Sequence, residues 1–167
     1  DWCTGSGCIA LAVKNRMPDA AVRGMDVSPE ALEIARSNAK DLHLDVEFEL
    51  QNALEIEKTG GVDVIISNPP YIPWVEKEQM HQNVTGFEPD LALFVPNEEP
   101  LLFYDAIAKY AAKYLNENGF LFFELHESFG LETKTMVEQF GFTAVEIRKD
   151  LQGKNRMLKA QWKADRM

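Results

Sequence analysis

Hydrophobic and polar positions along the chain follow two alternating periods, one typical of helices and one typical of strands. After Ser28, apolar residues recur every three or four positions at Leu32, Ala35, Ala39 and Leu42, which predicts one buried helix face. The Ser-Pro-Glu sequence at the start of this segment supplies an N-cap, a first-turn proline and an acidic residue near the positive helix end. A helix is therefore predicted over residues 28–42.

Short apolar runs lie between the helical segments and predict strands. Residues 62–67 form an almost continuous apolar run, as expected for a strand that is buried on both faces. The other predicted strands are residues 21–26, 46–50, 120–125, 142–148 and 156–162, and the other predicted helices are residues 8–16, 104–115 and 131–140. Gly119 and Gly141 are placed to end the last two helices. Residues 71–99 combine several prolines with little periodicity and are predicted to be a long, functional loop.

The order of these elements predicts the architecture. Strands alternate with helices and the last two strands are adjacent, which predicts an α/β sandwich with a mostly parallel sheet and an antiparallel C-terminal hairpin. The chain begins abruptly at Asp1, in what should be the end of a strand, so we expect a fragment of a longer protein. Ligands of such sheets bind beyond the carboxyl ends of the strands, and three candidate sites lie there.

Composition and charge narrow the classes of protein. The length of 167 residues fits one domain, and 46% hydrophobic with 26% charged residues excludes a wholly disordered chain. No apolar run is long enough to span a bilayer. Two cysteines cannot form a disulfide framework, so a cytoplasmic setting is expected. The net charge of −10 disfavours a broad nucleic-acid surface, although residues 146–167, with seven basic and three acidic side chains, carry +4.

The first two candidate sites fit a nucleoside ligand. Glycines in the Thr4-Gly5-Ser6-Gly7 turn let the backbone approach a ligand closely, and the following helix start offers free N–H groups. Asp26 ends the next strand about twenty residues later, where a carboxylate accepts from ribose hydroxyls. Taken alone, the glycine turn could be purely structural, and Asp26 could simply cap the following helix. The spacing between the glycine turn and Asp26 favours a site that binds a nucleoside.

The third candidate, Asn68-Pro69-Pro70-Tyr71, is the most specific motif in the chain. Two consecutive prolines hold the backbone rigid and lack N–H donors, so their carbonyl groups remain available as acceptors. The Asn68 side chain adds another acceptor, and Tyr71 supplies a flat face. Such a site can accept hydrogen bonds from a planar –NH2 group and stack on its plane. The alternative is a plain proline turn at the end of a buried strand.

These motifs together resemble a known family. The Asp1-x-x-Thr4-Gly5-Ser6-Gly7 turn, Asp26 and residues 68–71 are similar to those of class I methyltransferases, which use S-adenosylmethionine and here would modify planar amino or amide nitrogens. Four further segments resemble the release-factor glutamine methyltransferases (the PrmC/HemK family): Phe87-Glu88-Pro89, Ala92-Leu93-Phe94, Pro100-Leu101-x-Phe103-Tyr104 and Lys149-Asp150-Leu151-x-Gly153-x-x-Arg156. The resemblance implies a Rossmann-like class I methyltransferase sandwich, with residues 1–167 as the catalytic domain and the first strand and an N-terminal helical domain upstream.

The resemblance also implies a reaction and a set of site residues. The reaction is transfer of a methyl group from S-adenosylmethionine to the side-chain amide nitrogen of a glutamine in a peptide chain release factor. The implied cofactor-binding residues are Cys3, Thr4, Gly5, Ser6, Gly7, Asp26, Asn52, Ala53 and Asn68. The implied catalytic residues are Asn68, Pro69, Pro70 and Tyr71. Cys3, Asn52 and Ala53 depart from the residues that the family usually has at these positions.

Two other functions remain open from the residues alone. Adenine N6 in RNA or DNA presents the same planar –NH2 group, and Tyr71 could stack on a flipped base. An inactive nucleoside-binding module would explain the unusual Cys3. His43, His81 and His126 are scattered and are interpreted as surface or structural residues, and neither they nor Cys3 and Cys8 have metal-site spacing, so no metal is expected. No membrane partner and no direct nucleic-acid contact are expected.

Overall fold

Helices and strands alternate along the chain largely as the apolar pattern predicts. In the computed structural model, residues 1–56, 60–80 and 89–163 are described. The α-helices are α1 (Cys8–Arg16), α2 (Pro29–Asp41), α3 (Asp90–Leu93), α4 (Leu102–Tyr114) and α5 (Gly130–Gln139), and a 3-10 helix spans Trp74–Gln79. The strands are β1 (Arg23–Asp26), β2 (Glu47–Leu50), β3 (Val62–Ser67), β4 (Ile72–Pro73), β5 (Phe94–Val95), β6 (Leu115–Glu124), β7 (Thr143–Lys149) and β8 (Asn155–Gln161). None of the described helices has the length and apolar character needed to cross a membrane.

The chain divides into two compact units, an N-terminal unit (Asp1–Glu57) and a C-terminal unit (Lys58–Met167). In the N-terminal unit β1 and β2 pair in parallel. Trp2 bridges to Met25 of β1, also in parallel, and the Met25 N–H donates to the Asp1 carbonyl oxygen over 2.8 Å. The residues before the glycine turn therefore run as a strand beside β1, which places the turn at the carboxyl ends of these strands.

The core of the N-terminal unit forms where α1 and α2 cover this strand pair. Leu32, Ala35 and Ala39 of α2 are buried as the helical period predicts, and they pack with Leu11 of α1 and with Phe48 of β2. Leu42, which was predicted on the same buried face, follows the end of the helix and is 59% exposed. The helix starts where expected, because the Ser28 hydroxyl accepts from the Ala31 N–H over 3.1 Å. The cap and the apolar face together fix the register of α2 against the strands.

The C-terminal unit contains a four-stranded sheet with the order β3-β6-β8-β7. β3 and β6 are parallel, whereas β8 is antiparallel to both of its neighbours. The predicted antiparallel C-terminal hairpin is thus present as β7 and β8. Ile107 of α4, Leu121 and Phe123 of β6, and Leu158 of β8 are almost fully buried and form part of the core.

Two predictions within the C-terminal unit are wrong. Gly119 does not end a helix: α4 ends at Tyr114, Leu115 has extended dihedral angles, and Gly119 lies inside β6. A Cβ atom at Gly119 would lie 2.9 Å from the Asp63 carbonyl oxygen, so the glycine allows β3 and β6 to approach. β3 is not buried on both faces along its whole length, because Val64 in its first half is 47% exposed.

The described part of residues 71–99 is not a plain loop. β4 pairs in parallel with β5, so that Ile72 lies opposite Phe94 and Pro73 opposite Val95. The 3-10 helix and α3 lie next to these two short strands in sequence. Pairing between segments about twenty residues apart leaves no periodic signal in the sequence, which explains why a loop was expected. His81, Phe87 and Glu88, which the sequence argument also used, lie outside the described residues.

Candidate functional site

The glycine turn forms a tight connection into α1. The Gly7 N–H donates to the Thr4 carbonyl oxygen over 2.9 Å, and both Gly5 (φ 56°) and Gly7 (φ 83°) adopt the left-handed conformation that glycine accepts most readily. The Ser6 carbonyl oxygen accepts from the Asn38 side chain over 3.0 Å, which ties the turn to α2. A Cβ atom at Gly5 would meet nothing within 4 Å, so the space beside this glycine is open.

Asp1 supports the turn from within the unit, a role that the sequence argument did not assign. Its Oδ2 atom accepts from the Thr4 hydroxyl over 2.6 Å and from the Ala10 N–H over 3.2 Å. Its Oδ1 atom is buried and has no hydrogen-bond partner among the described residues. A buried carboxylate oxygen without a donor is costly, so this atom is an acceptor that the described residues leave open.

Asp26 lies against the turn, as its spacing from the turn predicts. Its Oδ2 atom accepts from the Gly5 N–H over 2.8 Å, and its Oδ1 atom accepts from the Ser28 N–H over 3.0 Å. The alternative role in helix capping is therefore also present. An ionised carboxylate has about four acceptor positions, so both oxygens retain capacity for further donors such as ribose hydroxyls.

The remaining candidate cofactor residues of this unit lie at the same strand ends. Cys3 is half-buried and has a φ of 57°, a left-handed conformation that is unusual for a residue other than glycine. Asn52 follows β2, and its side-chain oxygen accepts from the Leu54 N–H over 3.0 Å, whereas Ala53 is buried. The Gln51 N–H donates to the Asp26 carbonyl oxygen, which keeps this segment beside the end of β1.

The Asn-Pro-Pro-Tyr motif follows β3 in the C-terminal unit. Pro69 and Pro70 are buried, whereas Asn68 is exposed. The Asn68 side chain has no hydrogen-bond partner within the described parts of the chain. Two rigid, buried prolines therefore follow an exposed amide side chain that is not engaged by any described residue and can bind a ligand.

Tyr71 is held in place by contacts with distant parts of the same unit. Its backbone N–H donates to the Leu93 carbonyl oxygen over 3.2 Å, and its hydroxyl donates to Glu124 Oε1 over 3.0 Å. The Glu124 carbonyl oxygen in turn accepts from the Tyr104 hydroxyl over 2.9 Å. Burial, reinforced by the Glu124 carboxylate, raises the pKa of Tyr71 to about 12, so this hydroxyl remains a neutral donor at physiological pH.

Glu124 is the last residue of β6 and belongs to none of the motifs identified in the sequence. In the structure it anchors Tyr71, although the two residues are 53 positions apart in the chain. Tyr104 shares this network and is fully buried. The sequence offers only a weak signal for these two residues. Glu124 is a charged residue at the end of an apolar strand, and Tyr104 is a residue with a hydroxyl group on the buried face of a helix.

The late family motif shapes the turn between β7 and β8. The Asp150 side chain accepts from the backbone N–H groups of Gln152 and Lys154, over 2.9 Å and 3.0 Å. Arg156 contacts the Asp150 carboxylate through Nε over 3.3 Å, and its Nη1 donates to the Leu125 carbonyl oxygen over 3.2 Å. Arg156 thereby connects the hairpin turn to the segment that follows Glu124.

We expect Tyr71→Phe to change how stability depends on pH. A tyrosine with a raised pKa keeps its proton in the folded state while the unfolded chain loses it, so the stability that it contributes is complete below the unfolded pKa and is lost as pH rises through the folded pKa. The free energy of unfolding, measured by urea titration at roughly pH 9 to pH 12, should fall more steeply for the wild type than for Tyr71→Phe. Tyr104 is present in both proteins and contributes equally. Parallel curves would contradict the burial of the Tyr71 hydroxyl.

The family of the chain follows from its N-terminal half. Residues 1–85, which include the glycine turn, Asp26 and the Asn-Pro-Pro-Tyr motif, match the family model described as the methyltransferase small domain. The chain belongs to the methyltransferase small domain family. The candidate residues of both units thus fall within the segment that defines this family.

Curated relatives agree with the narrower resemblance seen in the motifs. The chain is 43% identical over 162 residues to the release factor glutamine methyltransferase of Bacteroides thetaiotaomicron, covering 96% of this chain and 58% of that protein. It is 40% identical over 164 residues to the release factor glutamine methyltransferase of Flavobacterium psychrophilum, covering 98% and 58%. The chain therefore spans a little over half the length of these relatives, and the expected resemblance is confirmed.

Solved structures confirm the predicted fold. A methyltransferase from Pyrococcus furiosus has a TM-score of 0.68 at 20% identity, covering 95% of this chain and 71% of that chain. Magnesium protoporphyrin IX methyltransferase from Synechocystis PCC 6803, solved with bound SAH, has a TM-score of 0.62 at 14% identity, covering 96% and 71%. Such distant similarity establishes the Rossmann-like class I methyltransferase architecture alone.

Proposed function

We propose that this chain transfers a methyl group from S-adenosylmethionine to the side-chain amide nitrogen of a glutamine in a peptide chain release factor. The observation that carries the proposal is the exposed Asn68 amide, which follows β3 and is presented by two buried prolines beside the anchored Tyr71. Residues 1–167 would supply the catalytic domain for this reaction. Because release factors act in translation, the proposed reaction takes place in the cytoplasm.

The N-terminal unit offers groups that fit such a cofactor. The buried Asp1 Oδ1 atom, which has no partner among the described residues, suits a positively charged amino group, and the open space beside Gly5 admits a ligand close to the backbone. Asp26 would accept from the ribose hydroxyls, while the segment of Asn52 and Ala53 would lie along the adenine. Cys3, Thr4, Ser6 and Gly7 would complete the backbone cradle around the methionine part. When bound, the cofactor supplies a methyl group on a sulfonium, which is a highly activated leaving group.

The motif in the C-terminal unit addresses the weak nucleophilicity of an amide nitrogen. The lone pair of that nitrogen is delocalised into its carbonyl group, so acceptors on both N–H bonds orient the nitrogen and increase its electron density. The Asn68 side-chain oxygen and the Pro69 carbonyl oxygen are the proposed acceptors, Pro70 fixes their direction, and Tyr71 bounds the amide plane. With the cofactor bound, the nitrogen would form the new bond to the methyl carbon as the carbon–sulfur bond breaks, and it would lose its proton to solvent. Positioning and electrostatics provide the catalysis, and no dedicated general base is required.

A Gly5→Ala substitution should weaken cofactor binding without a matching effect on the fold. The left-handed conformation at Gly5 costs a β-carbon about 1 kcal/mol, and the added methyl group would occupy the open space beside the turn. We expect the dissociation constant for S-adenosylhomocysteine, measured by calorimetry, to rise about tenfold. Gly153→Ala is the matched control, because Gly153 has a φ of 83° and equally open surroundings in the β7–β8 turn. Equal affinity in both variants would remove Gly5 from the proposed cradle.

The acceptor can be identified with labelled S-adenosylmethionine. The chain is incubated separately with a purified release factor, with bulk tRNA and with DNA, and a release factor whose target glutamine is replaced by leucine serves as the control. Label that mass spectrometry maps to one glutamine supports the proposal. Label on nucleic acid alone would move the assignment to adenine N6, with Tyr71 as a stacking residue. Cofactor binding without any transfer would point either to a missing N-terminal region, since the chain covers only 58% of its relatives, or to an inactive nucleoside-binding module.

A further inference from the structure

His126 lies next to the motif tyrosine and is buried, with 8% of its surface exposed. Its Nδ1 atom accepts from the Ser128 N–H over 3.2 Å, so the ring proton of the neutral imidazole is assigned to Nε2. Nε2 lies 3.1 Å from Glu76 Oε2 and donates to it. Because the Ser128 backbone N–H occupies Nδ1, the ring N–H of His126 lies on Nε2 and points at Glu76.

The same imidazole ring contacts Tyr71. The two ring centroids are 5.9 Å apart with an interplanar angle of 69°, an edge-to-face arrangement. The centroid of the Phe129 ring lies 4.9 Å from that of the His126 ring, and the backbone N–H of His126 donates to the Tyr104 hydroxyl over 3.2 Å. Contacts other than those with Tyr71 and Glu76 thus hold His126 in place. Tyr71 contacts its ring, and Glu76 accepts its ring N–H.

Glu76 lies in the 3-10 helix, five residues after Tyr71. Within the described residues, three other contacts join this helix to residues 90–97: Trp74 stacks on Phe94 at 4.6 Å, the Val75 N–H donates to the Asn97 side chain, and Lys77 pairs with Asp90. The bond from His126 to Glu76 instead joins the helix to the segment that follows β6. It therefore closes a ring that runs from Tyr71 along the chain to Glu76, across to His126, and back to Tyr71.

We propose that His126 and Glu76 form a positioning pair that holds the chain leaving the Asn-Pro-Pro-Tyr motif and thereby orients Tyr71 against the substrate amide. This inference rests on the proposed function. Neither residue touches the reacting atoms: His126 acts through the Tyr71 ring, and Glu76 acts by fixing the helix that continues from Tyr71. The structure agrees with the interpretation of His126 as a structural histidine, and the proposed pair adds a consequence of its bond to Glu76 for the reaction.

Amide hydrogen exchange tests whether the pair holds this segment. In Glu76→Ala, exchange of the Tyr71 and Val75 amides should speed up about tenfold, because the helix loses its bond to His126. Glu76→Gln retains an acceptor oxygen at the same position and should exchange like the wild type. Glu78→Ala, at an exposed glutamate of the same helix, is the matched control. Unchanged exchange in Glu76→Ala would overturn the proposal whether or not the chain is active.

Methyl transfer to a release factor tests whether holding the segment matters for the reaction. We expect kcat to fall about tenfold in Glu76→Ala, with the KM for S-adenosylmethionine unchanged, and to be restored in Glu76→Gln. An undiminished kcat despite faster exchange, or equal losses in the Ala and Gln variants, would overturn the positioning role. A wild-type chain that transfers nothing would refute the proposed function and with it that role, whereas the exchange experiment would still show whether the pair holds the helix.

Discussion

Replacing Asn68 by alanine should reduce the rate of methyl transfer by about 100- to 1,000-fold, the loss typical for one preorganised polar group at a reacting centre. The expected cause is the removal of the acceptor that orients the amide nitrogen. Asn68 is exposed, and its side chain makes no hydrogen bond to other described residues, so the substitution should leave the fold intact. The effect should therefore appear in kcat rather than in stability.

Two measurements separate this role from a general effect. Affinity for S-adenosylhomocysteine, measured by calorimetry, should stay within a few-fold of the wild type, since most of the proposed cofactor contacts belong to the N-terminal unit. Asn15→Ala is a suitable control, because Asn15 is an exposed asparagine of α1 outside the motif. Turnover by Asn68→Ala equal to that of the control would refute the role of Asn68.

Local chemical signals in the sequence account for most of the correctly predicted structure. The start of α2 could be predicted because a serine cap, a first-turn proline and an apolar period agree on one register. The glycine turn could be predicted because glycine adopts left-handed φ angles, such as those at Gly5 and Gly7, more readily than other residues. The position of Asp26 near the turn could be predicted from the spacing between the turn and the next strand, and in the structure its carboxylate accepts from the Gly5 N–H.

Contacts between distant segments account for the parts that could not be predicted. The pairing of β4 with β5 depends on two residues in each strand, too few to show a period. The anchoring of Tyr71 by Glu124 and of Glu76 by His126 spans 53 and 50 positions, respectively. The sequence can indicate that Asn68 and Tyr71 are chemically special, but only the folded chain shows which residues hold Tyr71 in its orientation.

Exposed ion pairs on the helices add little to the stability of the fold. Lys109–Asp105 and Lys134–Glu138 are one-turn pairs on helix surfaces with partly exposed side chains. Pairs of this kind stabilise a helix by a few tenths of a kcal/mol, roughly 0.3–0.5. The bonds that shape the candidate site instead involve partly or fully buried groups, such as the Asp1 and Asp26 carboxylates on the glycine turn. Substitutions of Asp1 or Asp26 should therefore change cofactor binding more than substitutions in these surface ion pairs.

An Asp26→Ala substitution should weaken cofactor binding by at least about tenfold and by as much as a few hundredfold. Charge-assisted hydrogen bonds contribute about 1.5–3 kcal/mol each, and about 1.4 kcal/mol corresponds to a tenfold change in affinity. The carboxylate would both accept from the ribose hydroxyls and hold the Gly5 N–H, so its removal affects the ligand contact and the shape of the turn together. The measurement is the dissociation constant for S-adenosylhomocysteine by calorimetry, with the urea midpoint recorded in parallel.

Asp26→Asn separates the two contributions. Asparagine retains one side-chain oxygen, which can still accept from either the Gly5 or the Ser28 N–H, but it lacks the negative charge and the second acceptor. We therefore expect Asn to restore most of the stability and only part of the affinity. Asp45→Ala, at an exposed aspartate of the same unit, controls for the change in net charge. If Asp26→Ala bound the cofactor as tightly as Asp45→Ala, the carboxylate would serve only to cap α2 and to hold the glycine turn, and the ribose would have to be bound elsewhere.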